Sequence, residues 1–206
     1  MPGSAFNRFT SAREYAEGLR ELKAQVVPSA AGPFVTHLVR IELTLVRLLD
    51  ADESAARSGF WSIPRGWHYA FFDTRPGCSL SWNGNDVSFG QVLLAGGAER
   101  LHLQTMAASH FAAIGIRSAT LELYANGLSD RTIELTKTAS ALEMPAGVLR
   151  RLIQLHDRIV RTVRSRPDAV VQPETARAIE QELIEALAMC LVNGSARRLQ
   201  PLPCSS

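Results

Sequence analysis

From Val35 the chain alternates: Val39, Ile41, Leu43 and Leu45 fall on one side, with Arg40, Glu42 and Thr44 on the other. Period two is the pattern of a strand half buried against a core, and it predicts a strand through 35–45. The small, polar stretch ADESAARSG at 51–59 predicts a loop, and the aromatic run FWSIPRGWHYAFF after it is broken at Pro64 and Gly66. Alternation returns in SLSWNGNDVSFGQVLLAGG at 79–97, where Leu80 and Trp82 share a face. Asn83-Gly84 supplies the positive φ angles of a two-residue hairpin turn. Val87 and Phe89 resume the pattern, Gly90 interrupts it, Val92 and Leu94 continue it, and Gly96-Gly97 turns the chain again. In Arg100–Thr105, Leu101 and Leu103 oppose Arg100, His102 and Gln104. Short strands separated by regular glycine turns predict a small barrel or sandwich over 34–117.

The flanks read differently. Residues 1–33 predict a short helix and a connector. Ser11–Glu14 has the form of a capping box, Tyr15, Leu19 and Leu22 follow at helical spacing, and the prolines and glycine of QVVPSAAGP end the run. A connector is expected over 118–145 and a helix pair over 146–193. In the first helix Leu149, Leu152, Ile159 and Val163 share a face opposite Arg150, Arg151, Arg158, Arg161 and Arg164, and Pro167 stops it. Pro173 opens the second, where a missing amide costs nothing; Ala176, Ile179, Leu183, Leu187 and Cys190 form its stripe, and Asn193-Gly194 ends it. A disordered tail is expected over 194–206. The fold class is therefore α+β: a small β-barrel or jelly roll followed by an antiparallel pair of α-helices.

Composition narrows the function. At 206 residues, 46% hydrophobic and 20% charged, the chain has the make-up of an ordinary folded domain. A formal charge of +2 is too small to mark a nucleic-acid binder. No apolar run approaches the ~20 residues of a membrane span, and the amino terminus lacks the apolar core of a secretory signal. Cys78, Cys190 and Cys204 are far apart and in no metal-like spacing, which fits reduced thiols in a cytoplasmic protein, Cys190 acting as packing.

A metal-binding cupin needs two histidines two apart, a nearby carboxylate and a third histidine on a later strand. His37, His68, His102, His110 and His156 hold no such pair, and Glu99 falls in a turn. Glu42, Asp73 and Asp86 are isolated acids, and no nucleophile elbow or phosphate loop occurs. No catalytic residue, metal or cofactor is expected, and the chain reads as a non-enzyme. Binding remains. Trp61, Trp67, Tyr69, Phe71 and Trp82 cluster in the β region, with Arg40, His68 and Arg65 as polar anchors, and an apolar pocket with a few polar groups suits a small molecule.

The order of segments resembles a known family. A short helix, then P-F-V-T-H-L-V-R-I-E-L, I-P-R-G-W-H-Y, S-L-S-W-N-G-N-D-V-S-F-G-Q-V-L-L-A-G-G and a helix pair ending in A-L-A-M-C-L is similar to the amino-terminal effector-sensing region of AraC/XylS-type transcription regulators, over residues 9–193. The resemblance implies a cupin-like effector-binding domain without metal and helices that mediate dimerisation, here placing Leu152, Ile159, Ile179, Leu183 and Leu187 at a homodimer seam. Family members carry a further region with two helix-turn-helix units. In the tail SARRLQPLPCSS no recognition helix can be placed, so direct DNA binding is not expected of this chain. Three alternatives stay open: a cupin-like enzyme, a stand-alone small-molecule binding protein, and a decoy that heterodimerises with full-length regulators.

Overall fold

The structure, a computed structural model, describes residues 2–29, 31–77, 80–97 and 99–197. Strand β1 (Gly3–Phe9) comes first, followed by helix α1 (Ala12–Gly18), β2 (Gln25–Pro28), β3 (Thr36–Glu42), β4 (Val46–Glu53), β5 (Arg57–Ser62) and β6 (Trp67–Asp73). Then come β7 (Leu80–Trp82), β8 (Asn85–Val87), β9 (Gln91–Gly96), β10 (Arg100–Thr105), β11 (Ser109–Arg117), α2 (Ser118–Gly127) and β12 (Ser140–Glu143). Helices α3 (Ala146–Ser165) and α4 (Pro173–Asn193) and a short β13 (Ser195–Arg197) complete it.

The strands form two antiparallel sheets. The larger has the order β1-β3-β4-β11-β6-β9-β12-β13 and the smaller β2-β5-β10-β7-β8. Both retain edge strands, so the expected barrel is an open two-sheet sandwich and not a closed ring. Helices α2, α3 and α4 lie on the outer face of the larger sheet, which makes three layers and two cores. Leu38, Leu49, Phe71, Leu93, Phe111 and Ala113 of the larger sheet meet Trp61, Trp82, Leu101 and Leu103 of the smaller. On the other side Val39, Ile41, Leu48, Phe72, Leu94 and Ile114 meet Leu121, Leu152, Ile159, Leu183 and Leu187 of the helices. This explains the unbroken aromatic run in β6, where every residue is buried: alternate side chains enter opposite cores.

Several boundaries depart from the sequence reading. The strand foreseen through 35–45 is a hairpin: Leu43 donates its backbone N–H to the Val46 carbonyl, and Glu42 faces Arg47 across the turn. No loop fills 51–59, because β4 runs on to Glu53 and β5 begins at Arg57. The polar residues there are a buried ion pair, Glu53 and Arg57, and not a solvated turn. The first zone carries two strands around its helix, and the connector holds α2 and β12. Ser11 does precede α1, yet its side chain caps nothing. The Asn83-Gly84 turn is as foreseen, with φ of 45° and 77°. Ser195–Arg197 pairs with β12, while Cys78, Cys204 and the tail beyond 197 lie outside the described residues.

Helices α3 and α4 match their expected spans closely. The salt bridge of Arg158 with Glu182 spans a short connection, which sets the two helices antiparallel. Glu180 of α4 is turned inward and accepts the Leu45 backbone N–H. Arg164 reaches Asp50 of β4 at 2.9 Å, and fully buried His156 approaches the Leu49 carbonyl at 3.3 Å, so α3 is pinned to the sheet. Cys190 is buried among these helices, which pushes its thiol up to about 12 and suits packing alone. Among the described residues no helix is long and apolar enough to cross a membrane.

Candidate functional site

Register arranges the inner face of the larger sheet in rows. Glu42, Arg47, Gly115, Tyr69 and Ala95 stand opposite one another across β3, β4, β11, β6 and β9. One step deeper lie Arg40, Leu49, Ala113, Phe71 and Leu93, and deeper again Leu38, Ala51, Phe111 and Asp73. At the rim Arg117 stands opposite Trp67. The interior thus grades from aliphatic and aromatic to charged, and the small sheet closes over it with Trp61 and Trp82.

Of the eight side chains expected to line or anchor a ligand site, six face this space, Arg40, Trp61, Trp67, Tyr69, Phe71 and Trp82, while Arg65 is exposed in the turn before β6. His68 does not face it. Its parity along β6 sends it to the helical side, where Nε2–H donates to the Thr136 carbonyl at 3.1 Å and Nδ1 accepts from the Ser118 hydroxyl at 2.8 Å. Burial, opposed by the Thr136 carbonyl and Glu122, holds His68 below the usual histidine range. The other histidines sit apart as well. His102 bonds Ser58 on the outer side of the small sheet, and His110 lies beside Asp50 and Thr74.

Polar atoms inside the sandwich lack partners. Trp61 and Tyr69 are 0% exposed and Trp82 6%; the two indole N–H groups make no hydrogen bond, and the Tyr69 hydroxyl finds no acceptor. Thr36 Oγ1, Arg57 Nη2 and both oxygens of Glu21 share this condition. Burial pushes the Tyr69 hydroxyl up to about 12, opposed by a hydrogen bond from Arg47 and by the charge of Arg47, with Glu21 and Glu42 adding to the rise. The Tyr69 ring leans over Gly115, where a Cβ would lie 2.5 Å from Tyr69 Cζ. Arg40 sits at the edge, donating to the Gly18 carbonyl at 2.7 Å and paired with Glu42 at 3.2 Å.

Sequence reasoning missed Arg47, Arg117 and Glu21. Carrying the period-two pattern of FAAIGIR to its end would have put Arg117 on the face of Phe111 and Ala113. Arg47 was hidden because the predicted strand ended at residue 45, one residue before β4 begins.

Asp73 closes the deepest row, and burial pushes its carboxyl up to about 7. Its folded value exceeds the unfolded one of about 3.9, so this contribution to stability is complete below about pH 4 and is lost as pH rises through about 7. Asp73→Asn, which cannot ionise, is expected to raise the thermal midpoint at about pH 8 and to leave it unchanged near pH 4. His68 and His110, lowered by burial, act in the opposite sense on the acid side, and comparing the two proteins at each pH cancels them. Equal midpoints on the alkaline side would contradict the assignment.

The five residues expected at a dimer seam have another place. Leu152, Ile159, Leu183 and Leu187 are buried in the core that the helices share with the chain's own sheet, and Ile179 is partly buried beside them. The helical layer also holds a groove of about 1490 Å³ between α2, α3 and α4, flanked by Leu123, Leu128 and Met189.

Together these features define an α+β two-sheet sandwich with a helical layer, enclosing a polar-rimmed aromatic interior. Among solved structures the chain is similar to the AraC-like transcriptional activator CuxR, with a TM-score of 0.63 and 11% identity, over 94% of this chain and 73% of that one. This likeness shows the fold. Weaker likenesses join it to a conserved protein of unknown function from Pseudomonas aeruginosa PAO1 (TM-score 0.31, 15% identity, 55% of this chain, 57% of that). A mutant oxalate decarboxylase from Bacillus subtilis is also similar (TM-score 0.31, 6% identity, 53% of this chain, 29% of that). Neither is close enough to argue from. No protein-family profile and no curated protein sequence matches the chain.

Proposed function

We propose that this chain is the effector-sensing and self-association part of an AraC-like transcription regulator, acting in the cytoplasm by binding and not by catalysis, with DNA contact left to other polypeptide. The carrying observation is the set of buried donors with no acceptor on the facing walls of the sandwich: the Trp61 and Trp82 indoles and the Tyr69 hydroxyl. Leaving such a group unpaired costs ~1–3 kcal/mol, and native interiors keep these groups few. Three of them lining one interior call for an acceptor from outside the chain. The surrounding side chains are aromatic, aliphatic and guanidinium, a set suited to holding a small molecule. The fold shared with an activator supports the regulatory setting.

Self-association is assigned to the helical groove, and its occupant to a second copy. Beside the internal Arg158–Glu182 pair, one wall carries Arg151 and Arg161 and the other Glu185, so a two-fold arrangement sets each copy's arginines against its partner's carboxylate. Leu123, exposed at 71%, adds apolar surface at the margin. Two measurements test the two halves separately. A thermal-shift screen of metabolites is expected to yield a compound that raises the midpoint, because binding to the native state alone stabilises it; an unchanged midpoint throughout would remove sensing. Sedimentation at micromolar concentration is expected to show a dimer, and a monomer at every concentration would remove self-association.

A further inference from the structure

One corner of the sandwich holds positive charge that the chain does not neutralise. Arg47 and Arg117 both lay their guanidiniums on Trp67, 4.2 and 4.5 Å from its ring centroid. Among the described residues, neither has a carboxylate within 4.0 Å. Their neighbours differ. Arg40 stands 3.2 Å from Glu42 and 4.0 Å from Glu21, and Arg20 stands 3.9 Å from Glu42. Two carboxylates and two guanidiniums there offset each other, and Arg47 and Arg117 are left over.

The local geometry suits one kind of partner. Stacking on an indole fixes the plane of a guanidinium and leaves its N–H edge free, the preorganised form in which arginine grips a carboxylate or a phosphate. Register places Arg47 opposite Gly115 and Gly115 opposite Tyr69, so no side chain stands between the Arg47 strand and the phenol ring. The Tyr69 hydroxyl is buried beside Arg47 and lacks an acceptor. Arg47 and Arg117 thus flank Trp67 and Tyr69 lies beside Arg47, while the two carboxylates of the corner, Glu21 and Glu42, are set against Arg40 and Arg20.

We infer that this corner is an oxyanion subsite, in which Arg47 and Arg117 clamp a carboxylate or phosphate group of a small effector and Tyr69 donates a third hydrogen bond. The inference rests on the proposed sensing function and adds the chemical class of the ligand. Trp67 is the plate that orients the clamp, and the remainder of the molecule extends toward Phe71, Trp61 and Trp82.

The test uses the whole chain and two probes, sodium phosphate and sodium succinate, titrated against sodium chloride of equal ionic strength while the thermal midpoint is followed. At least one probe is expected to raise the midpoint saturably. Arg47→Gln and Arg117→Gln are each expected to weaken its apparent affinity about ten-fold, the loss of one charge-assisted hydrogen bond. Any general salting effect persists in the double variant and is subtracted. A response to phosphate alone assigns a phosphorylated effector, and a response to succinate alone a carboxylate. No saturable response, or one retained in the double variant, would overturn the subsite. Should Arg47→Gln fail to fold, Arg117→Gln carries the test, since Arg117 is solvent-exposed. A neutral metabolite that binds inside the sandwich while both anions fail would overturn the subsite and leave the sensing function standing. Failure of every small molecule would overturn both.

Discussion

Glu53→Ala is expected to destabilise the protein by ~3–5 kcal/mol, because it leaves a buried guanidinium without its counter-charge. Glu53 and Arg57 are both 0% exposed and joined at 3.0 Å. Glu53 also accepts from the Tyr15 hydroxyl at 2.8 Å and from Ser109 at 2.7 Å, while Arg57 donates to the Leu103 carbonyl at 3.1 Å. Arg57 further lies over Trp61 and Phe111, its guanidinium 5.0 and 5.4 Å from their ring centroids. One carboxylate thus ties α1, β4, β5 and the start of β11. In a chain of this length each lost kcal/mol lowers the thermal midpoint by ~2–4 °C. Glu53→Gln retains acceptors and a similar volume, and is expected to lose less than the alanine variant. Urea unfolding of both variants checks this, and a loss for Glu53→Ala no larger than the ~1 kcal/mol of a surface pair would contradict it.

Leu183→Ala is expected to cost ~2–5 kcal/mol, the range for emptying a packed core site. Leu183 is 0% exposed, between α4 and the outer face of the larger sheet. The folded fraction of this variant is expected to self-associate as the wild type does, since the side chain does not reach the surface. Met189→Lys, at the edge of the groove, is expected to behave in reverse, keeping its unfolding midpoint while sedimentation shows a weaker dimer. A Leu183→Ala protein of normal stability that has become monomeric would return the seam to the helix stripe.

That stripe shows what the sequence could and could not reveal. Helical spacing located α3 and α4 almost to the residue, because periodicity reports which face is buried. It does not report what buries it. A face that packs on its own sheet and one that packs on a second chain have the same apolar pattern, so the stripe of Leu152 and Leu187 does not separate the two. The inverse failure occurred at 51–59, where Asp52, Glu53 and Arg57 looked like a solvated loop. Buried ion pairs carry the composition of a surface, and only the pairing of β4 and β5 with their neighbours separates the two. The aromatic interior was legible, since Trp61, Tyr69, Phe71 and Trp82 share it as expected. His68 was misplaced by one step of strand parity, and β6, buried on both faces, has no polar side from which that parity can be read.

The central claim is that the space between the sheets takes up a small molecule whose acceptors meet the Trp61 and Trp82 indole N–H groups and the Tyr69 hydroxyl. Those indole N–H signals, observed by NMR in nitrogen-15-labelled protein and assigned with Trp→Phe variants, report on it directly. Titration with a compound that stabilises the protein is expected to move the Trp61 and Trp82 signals together, saturating at one equivalent. A stabilising compound that leaves both signals in place at saturation would contradict the account.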